Sequence, residues 1–232
     1  MTPQQFTMDL MPPPSLSRDD FVLGACNALA ADWIDRWPDW PGRIKGVVLY
    51  GPADCGKSHL AAIWQNRSQA MVMSHLDDQS IDALVDQQAV IWDHPKPNDD
   101  WPEDLVFHWL NRLTEINGSL LVLSRLPMPQ LDWQLADVAS RLNGLSSASI
   151  SDPDDAMLAS LLHKHADDMG LALDADVTRY IVSRMERQFL VARQIIKQLN
   201  DLAMASKKPV TLPMVREVFE QQLPLLGRDH NE

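Results

Sequence analysis

Lys45-Gly-Val-Val-Leu-Tyr-Gly51-Pro-Ala-Asp-Cys-Gly56-Lys-Ser58-His-Leu-Ala-Ala-Ile-Trp64 is the stretch that decides the fold of this chain. A strand-like apolar run ends at Tyr50, a complete G-x-x-x-x-G-K-S loop follows, and a helix-like segment begins behind it. Gly51 and Gly56 adopt backbone angles closed to other residues, so successive N–H groups can curl around an anion. The helix that follows adds the positive end of its dipole. In this pattern Lys57 reaches the β- and γ-phosphates and Ser58 ligates Mg²⁺. A plain glycine turn between strand and helix is the competing reading, and the full motif in its proper setting outweighs it. The predicted cradle is Gly51, Pro52, Ala53, Asp54, Cys55, Gly56, Lys57, Ser58 and His59, and the predicted ligand is ADP or ATP with Mg²⁺.

Working outward, the composition is that of an ordinary globular protein, with 45% hydrophobic and 22% charged residues in a chain of 232. That length suits one large domain, or a main domain with a small one. No apolar run approaches the roughly 20 residues that span a bilayer. The start, Met1-Thr-Pro-Gln-Gln-Phe6, has no basic segment leading into an apolar core, so no signal peptide is expected. Cys26 and Cys55 make no disulfide framework, which fits a reducing cytoplasm. The net charge of −12 argues against tracking nucleic acid by counterion release. Up to Ile150 there are ten basic and nineteen acidic residues, and ten against thirteen afterwards, so the second part is relatively more basic. Neither part carries a strong basic stripe, and a role at DNA is expected to run through other proteins.

Three parts are predicted. Residues 1–15, with Pro12-Pro13-Pro14, read as a flexible tail. Residues 16–150 begin with a helical pattern over 19–41. From there strand candidates at 46–50, 70–74, 89–92, 119–124 and 145–150 alternate with helix candidates at 57–66, 80–86, 101–117 and 134–142. Short apolar strands between helices imply a five-stranded parallel sheet covered on both faces, an α/β nucleotide-binding domain. Residues 151–232 read as helices alone, at 152–169, 174–185, 188–206 and 211–222. Gly170 reads as a helix stop, and Asp174 and Thr211 as N-caps.

A second acid at the end of a neighbouring strand normally holds Mg²⁺ through water, and Ala89-Val-Ile-Trp-Asp93 supplies it. Where many ATPases place a water-polarising glutamate next, this chain has His94, which argues for holding nucleotide over rapid turnover. Ser124, ending the run Leu120-Leu-Val-Leu-Ser124, is placed to meet the γ-phosphate or its water. Arg141, in Val138-Ala-Ser-Arg-Leu142, taken alone reads as a surface ion-pair partner.

Together these residues resemble the AAA+ ATPases of the DnaA branch, and among them the Hda/HdaA proteins that inactivate the replication initiator DnaA. Gly51-Pro-x-x-x-Gly-Lys-Ser-His-Leu60 is similar to their Walker A loop, Val90-Ile-Trp-Asp93 to Walker B, and Leu121–Arg125 to sensor 1. Asp20-Phe-Val-Leu-Gly-Ala-Cys-Asn27 resembles the segment beside the adenine, which implies contacts from Phe21 and Val22. Asp137-Val-Ala-Ser-Arg141-Leu resembles the arginine-finger helix, and Lys208–Val218 the last helix of a lid. The resemblance implies an AAA+ core with a helical lid. It implies that Arg141 acts in trans on a nucleotide held by a neighbour, where such a residue accelerates phosphoryl transfer by about 10³–10⁵-fold. The implied role is negative regulation of replication initiation, by promoting hydrolysis of DnaA-bound ATP.

Gln5-Phe-Thr-Met-Asp-Leu10 resembles the family's peptide for the sliding clamp of DNA polymerase III, the β clamp, with Gln5, Phe6, Met8 and Leu10 as contacts. An extended anchor on a tether would localise the core by effective concentration. The chain departs from the family pattern at Asp93-His94, which replaces an acidic pair and makes ADP the expected ligand. It departs again in the lid, where the sensor 2 arginine falls on Leu190, with Arg187 and Arg193 three residues to either side. The choice between those arginines stays open, as does that between a homodimer and a DnaA-bound hetero-oligomer. The alternative function is an autonomous DnaC-like ATPase that loads or remodels a helicase.

Overall fold

The computed structural model describes residues 16–96 and 101–222. Five strands form one parallel sheet in the order β2-β3-β4-β1-β5: β1 Lys45–Tyr50, β2 Met71–Met73, β3 Ala89–Asp93, β4 Ser119–Ser124 and β5 Ser146–Ser149. Helix α1 Ala28–Arg36 precedes β1, and α2 Lys57–Ser68, α3 Asp78–Asp82, α4 Glu103–Glu115 and α5 Ala136–Asn143 connect the strands in turn. Parallel strands need such crossovers. The central strands are buried on both faces: β4 along its whole length, and β1 except at its two ends. That is why they read as continuous apolar runs and show no alternation.

The sheet's register brings three functional ends together. Tyr50 pairs with Ser124 and Asp93 with Leu123, so the loop after β1, the end of β4 and the end of β3 share one edge. Trp92 anchors this side of the core, packing against Trp101 at 4.6 Å, Trp109 at 5.2 Å and Trp133 at 5.7 Å between ring centroids. Trp92 and Trp109 are fully buried.

Contacts divide the described residues into two units, Leu16–Met157 with Arg187–Leu190, and Leu158–Glu186 with 191–222. The second unit is helical: the greater part of α6 (Asp155–Asp168), α7 (Ala175–Val182), most of α8 (Phe189–Ser206) and α9 (Leu212–Gln222). Its core is an apolar stripe at helical spacing, Ala192, Ile195, Ile196 and Leu199 of α8, packed on Leu158, Leu162, Ile181, Val215 and Val218. Gly170, at φ +68°, ends α6, with the Leu171 N–H donating back to the Ala166 carbonyl.

Several segments differ from their sequence expectation for local reasons. The helical pattern over 19–41 yields a helix only at Ala28–Arg36. Buried Asn27 diverts the chain before it: its Oδ1 accepts from the Gly24 N–H and its Nδ2 donates to the Val22 carbonyl, both at 2.9 Å. The helix expected at 80–86 starts at Asp78, because Asp77 and Ser80 form a reciprocal cap with serine where glutamate is usual. Asp174 sits at the N-cap of α7 but makes no capping hydrogen bond with its side chain. A short 3-10 turn at Met128–Gln130, unforeseen in the sequence, follows the end of β4. Among the described residues no helix is long and apolar enough to cross a membrane.

Candidate functional site

The loop between β1 and α2 is tight enough to require its glycines. A Cβ on Gly51 would lie 2.4 Å from the Ile150 carbonyl oxygen, and one on Gly56, at φ +97°, 3.1 Å from the Phe21 ring. Asp54 is also left-handed, at φ +57°. The Gly51 N–H donates to the Ser124 carbonyl at 3.2 Å, tying the loop to the end of β4. Inside the loop Lys57, 6% exposed as a residue, donates through its ammonium to the Gly51 carbonyl at 2.9 Å and the Pro52 carbonyl at 2.6 Å. Carbonyls alone compensate a buried cation poorly. No described carboxylate pairs with this ammonium, so the cradle's charge suits an anion, and the glycine-lined backbone suits phosphate oxygens.

Cys55 sits under the loop, 2% exposed, with Sγ 3.5 Å from the ammonium. Burial pushes its thiol up more than Lys57 draws it down, so it is neutral at physiological pH and packs as an apolar group. Phe21 lies over Gly56 and meets His59 edge-on, at 5.2 Å between ring centroids. His59 Nε2 is 2.9 Å from the Ser17 carbonyl oxygen. The structure therefore brings Phe21 and His59 to the Gly51–Ser58 loop, while the contact seen for Val22 is its carbonyl accepting from Asn27.

Asp93 ends β3 half-exposed, and His94 turns the chain at φ +52° with its N–H donating to the Leu123 carbonyl at 2.8 Å. His94 Nε2 stands 3.7 Å from Asp93 Oδ1. Ser124 is buried and accepts from the Leu126 N–H through its hydroxyl. No cluster of three or more described His, Cys, Asp or Glu residues is arranged to hold a metal. Mg²⁺ needs no such cluster, since one or two protein groups and the phosphates usually hold it together. Ser58 and Asp93 are the groups that fit it.

Arg141 is elsewhere. It lies in the last turn of α5, just before β5, at the sheet edge where the strands begin. Its guanidinium stacks on Phe107 of α4 at 4.8 Å from the ring centroid. It lines a cleft of about 450 Å³ with Arg43, Ile44 and Leu145, which also precede strands. β1 alone spans roughly 16 Å between that edge and the Gly51–Ser58 loop. The helix bearing Arg141 is fixed at its other end by Glu103, whose carboxylate accepts from the Gln134 N–H at 2.9 Å and from the Leu135 N–H. A carboxylate there satisfies otherwise orphaned donors and suits the dipole. Glu103, Phe107 and Arg43 were not singled out from the sequence. Glu103 has only the ordinary signature of an acid in a helix's first turn, and nothing local marks the other two.

In the lid, Arg187 precedes α8, so the helix-face argument for it does not hold; it pairs with Asp155 at 3.0 Å. Arg193 lies within α8, and Leu190, at the matched position, is 37% exposed. Gln5, Phe6, Met8 and Leu10 lie outside the described residues.

Comparison with known proteins adds to this geometry. Residues 154–219 match the family model described as "Hda, lid domain". The fold is similar to domain III of the Thermotoga maritima replication initiation protein DnaA, with TM-score 0.73, 18% identity, and 90% of this chain and 97% of that one covered. The chain thus joins a segment similar to the Hda lid domain to a sheet with the fold of DnaA domain III. The AMPPCP-bound DnaA of Aquifex aeolicus matches at TM-score 0.62 and 17% identity, over 84% of this chain and 67% of that one. A RuvB variant of Thermotoga maritima matches at TM-score 0.65 and 17% identity, over 90% and 72%. The five-stranded parallel sheet followed by helices, expected from the alternation of strand-like and helix-like segments, is thus the fold these structures share.

Proposed function

We propose that this Hda-type protein is a nucleotide-bound regulator of replication initiation that promotes hydrolysis of ATP on DnaA, with Arg141 as an arginine finger supplied in trans. The observation that carries the reading is the separation of Arg141 from the chain's own phosphate loop, across the full depth of the sheet. A guanidinium at the strand-start edge cannot serve the nucleotide cradle at the strand-end edge, yet it is held by Phe107 and by the Glu103-capped helix as a working group would be. The nucleotide in the Gly51–Ser58 loop, with Mg²⁺ on Ser58 and Asp93, is ADP in its working state. A histidine follows Asp93 where a water-activating carboxylate would stand. Phe21 and Val22 flank the base, and Ser124 the terminal phosphate.

The test is single-turnover hydrolysis of ATP preloaded on DnaA, with this protein, DNA and loaded sliding clamp present. Stimulation that disappears in Arg141→Ala, with the variant's own ADP affinity retained, is the expected outcome. No stimulation by the unaltered protein would sink the reading. Docking on the clamp through Gln5, Phe6, Met8 and Leu10 is part of the proposal. Replacing Gln5, Met8 and Leu10 with alanine is expected to abolish co-elution with the clamp at an unchanged melting temperature.

A further inference from the structure

The cleft beside Arg141 holds a second guanidinium that the preceding reading does not use. Arg43 stands in the turn Gly42–Ile44 that leads into β1. Gly42, at φ +99°, sets the turn, and Ile44 is buried, so the backbone carrying Arg43 is fixed on both sides. The side chain itself is exposed, and no described carboxylate pairs with it. Arg141 likewise has no acidic partner among the described residues; its contact is the Phe107 ring. The carboxylate in the cleft wall, Glu115, is engaged 3.7 Å from Arg112. Two unpaired guanidinium groups therefore face one opening in a chain whose net charge is −12. Leaving such forks unpaired is wasteful unless something anionic arrives, since a guanidinium matches two coplanar oxygens with paired N–H donors.

We infer that Arg43 is a specificity-determining contact for the partner protein, receiving an acidic side chain that lies beside the partner's nucleotide while Arg141 reaches the nucleotide itself. A carboxylate fits better than a polyphosphate. Glu115 in the wall, though it is shared with Arg112, opposes a chain of phosphates more than a single carboxylate placed at the two guanidinium groups. The apolar Ile44 and Leu145 in the same wall shield such a pair from water and strengthen it. Arg43 is a binding group: it sets how tightly and in what register the partner docks, and Arg141 sets the rate once docked.

This inference rests on the trans reading of Arg141, and the test separates the two. Stimulated single-turnover hydrolysis on DnaA is measured against the concentration of this protein, for Arg43→Ala, Arg43→Glu and Arg141→Ala. The expected result is that Arg43→Ala raises the half-saturating concentration by roughly two- to fivefold, within the range of a partly exposed ion pair. Arg43→Glu should raise it further. Both should leave the plateau rate, the melting temperature and ADP affinity unchanged, whereas Arg141→Ala collapses the plateau. The salt dependence of half-saturation should flatten in Arg43→Ala. Unchanged half-saturation in both Arg43 variants, with Arg141→Ala still inactive, overturns the Arg43 assignment alone. A silent Arg141→Ala overturns the underlying reading and this one with it. Direct binding to DnaA loaded with ADP or with a non-hydrolysable ATP analogue gives the last arm. An Arg43→Glu defect present in both states identifies a protein carboxylate; a defect confined to the triphosphate state assigns the anion to the nucleotide and overturns the proposal.

Discussion

Where the strands of the sheet end, a cation is turned inward; where they begin, cations are turned outward. Lys57 is buried under its own loop, held by the Gly51 and Pro52 carbonyls, in a cradle built wholly from this chain. Arg141 and Arg43 open onto a cleft, one stacked on Phe107 and the other fixed only through its backbone turn. A buried ammonium in a glycine cradle suits retention of an anion. A partly exposed guanidinium suits an anion that comes and goes with a partner, because little desolvation must be undone when it leaves. On the proposed function, this difference divides the labour of an ATPase: one edge holds nucleotide, the other acts on a partner's.

The largest effect that can break this division is the loss of Arg141. If it stabilises transition-state charge on DnaA, Arg141→Ala should lower stimulated hydrolysis by about 10³–10⁵-fold. Nucleotide binding at Gly51–Ser58 should not change, which isothermal titration with ADP would check. A parallel loss of ADP affinity would mean that the two edges are not separate.

Next in size is Gly51→Ala, which attacks the other edge. The new Cβ would meet the Ile150 carbonyl oxygen at 2.4 Å, and a backbone atom cannot step aside cheaply. We expect a loss of about 3 kcal/mol in stability and at least tenfold weaker ADP binding. The informative readout is stimulation of DnaA by protein that still folds. If stimulation survives in full, the loop is no latch for the finger; if it falls with ADP affinity, nucleotide in the loop sets how Arg141 is offered.

How far the sequence shows these two edges differs for a physical reason. The nucleotide edge is local: Gly51, Gly56, Lys57 and Ser58 lie within eight consecutive residues, and Asp93 and Ser124 each end an apolar run, so strand ends can be read directly. The finger edge is assembled from distant pieces. Arg43, Phe107 and Arg141 belong to a turn and two helices with no shared period, and only the fold makes them neighbours. Resemblance to the DnaA branch pointed to Arg141, but nothing in the chain pointed to its support. Short elements blurred for a related reason: Asn27 and Ser80 take over backbone hydrogen bonds with their side chains, and such substitutions leave the helical pattern unchanged while moving where the helix starts.

A smaller effect sharpens the finger edge. Glu103→Gln removes the charge that caps the start of α5 and turns an amide N–H₂ toward backbone donors. A cost of about 1–2 kcal/mol in stability is expected, measured by thermal or urea unfolding. The plateau of stimulated hydrolysis should fall severalfold while ADP affinity stays constant. An unchanged plateau at reduced stability would make Glu103 a purely structural cap.

The smallest effect lies in the lid and touches neither edge. His165 of α6 has its pKa lowered from the ordinary 6.5, chiefly by burial; Lys164 and Arg193 add to the lowering and Asp168 opposes it. Above pH 6.5 the imidazole is neutral whether the lid is folded or not, and its contribution to stability is fully present. As pH falls below 6.5 the unfolded chain takes up a proton that the folded lid resists, so stability declines until the folded state also protonates. Melting temperatures at pH 7.5 and 5.5 should therefore differ more for the unaltered protein than for His165→Gln. Leu158–Glu186 and the described residues from Val191 form a unit with a core of its own, so the difference should appear in the lid's unfolding, with ADP affinity at the Gly51–Ser58 loop constant over the same range. If the loop's affinity moves with His165, the lid helps to hold the nucleotide, and the inward-facing edge must be counted as larger than the sheet alone.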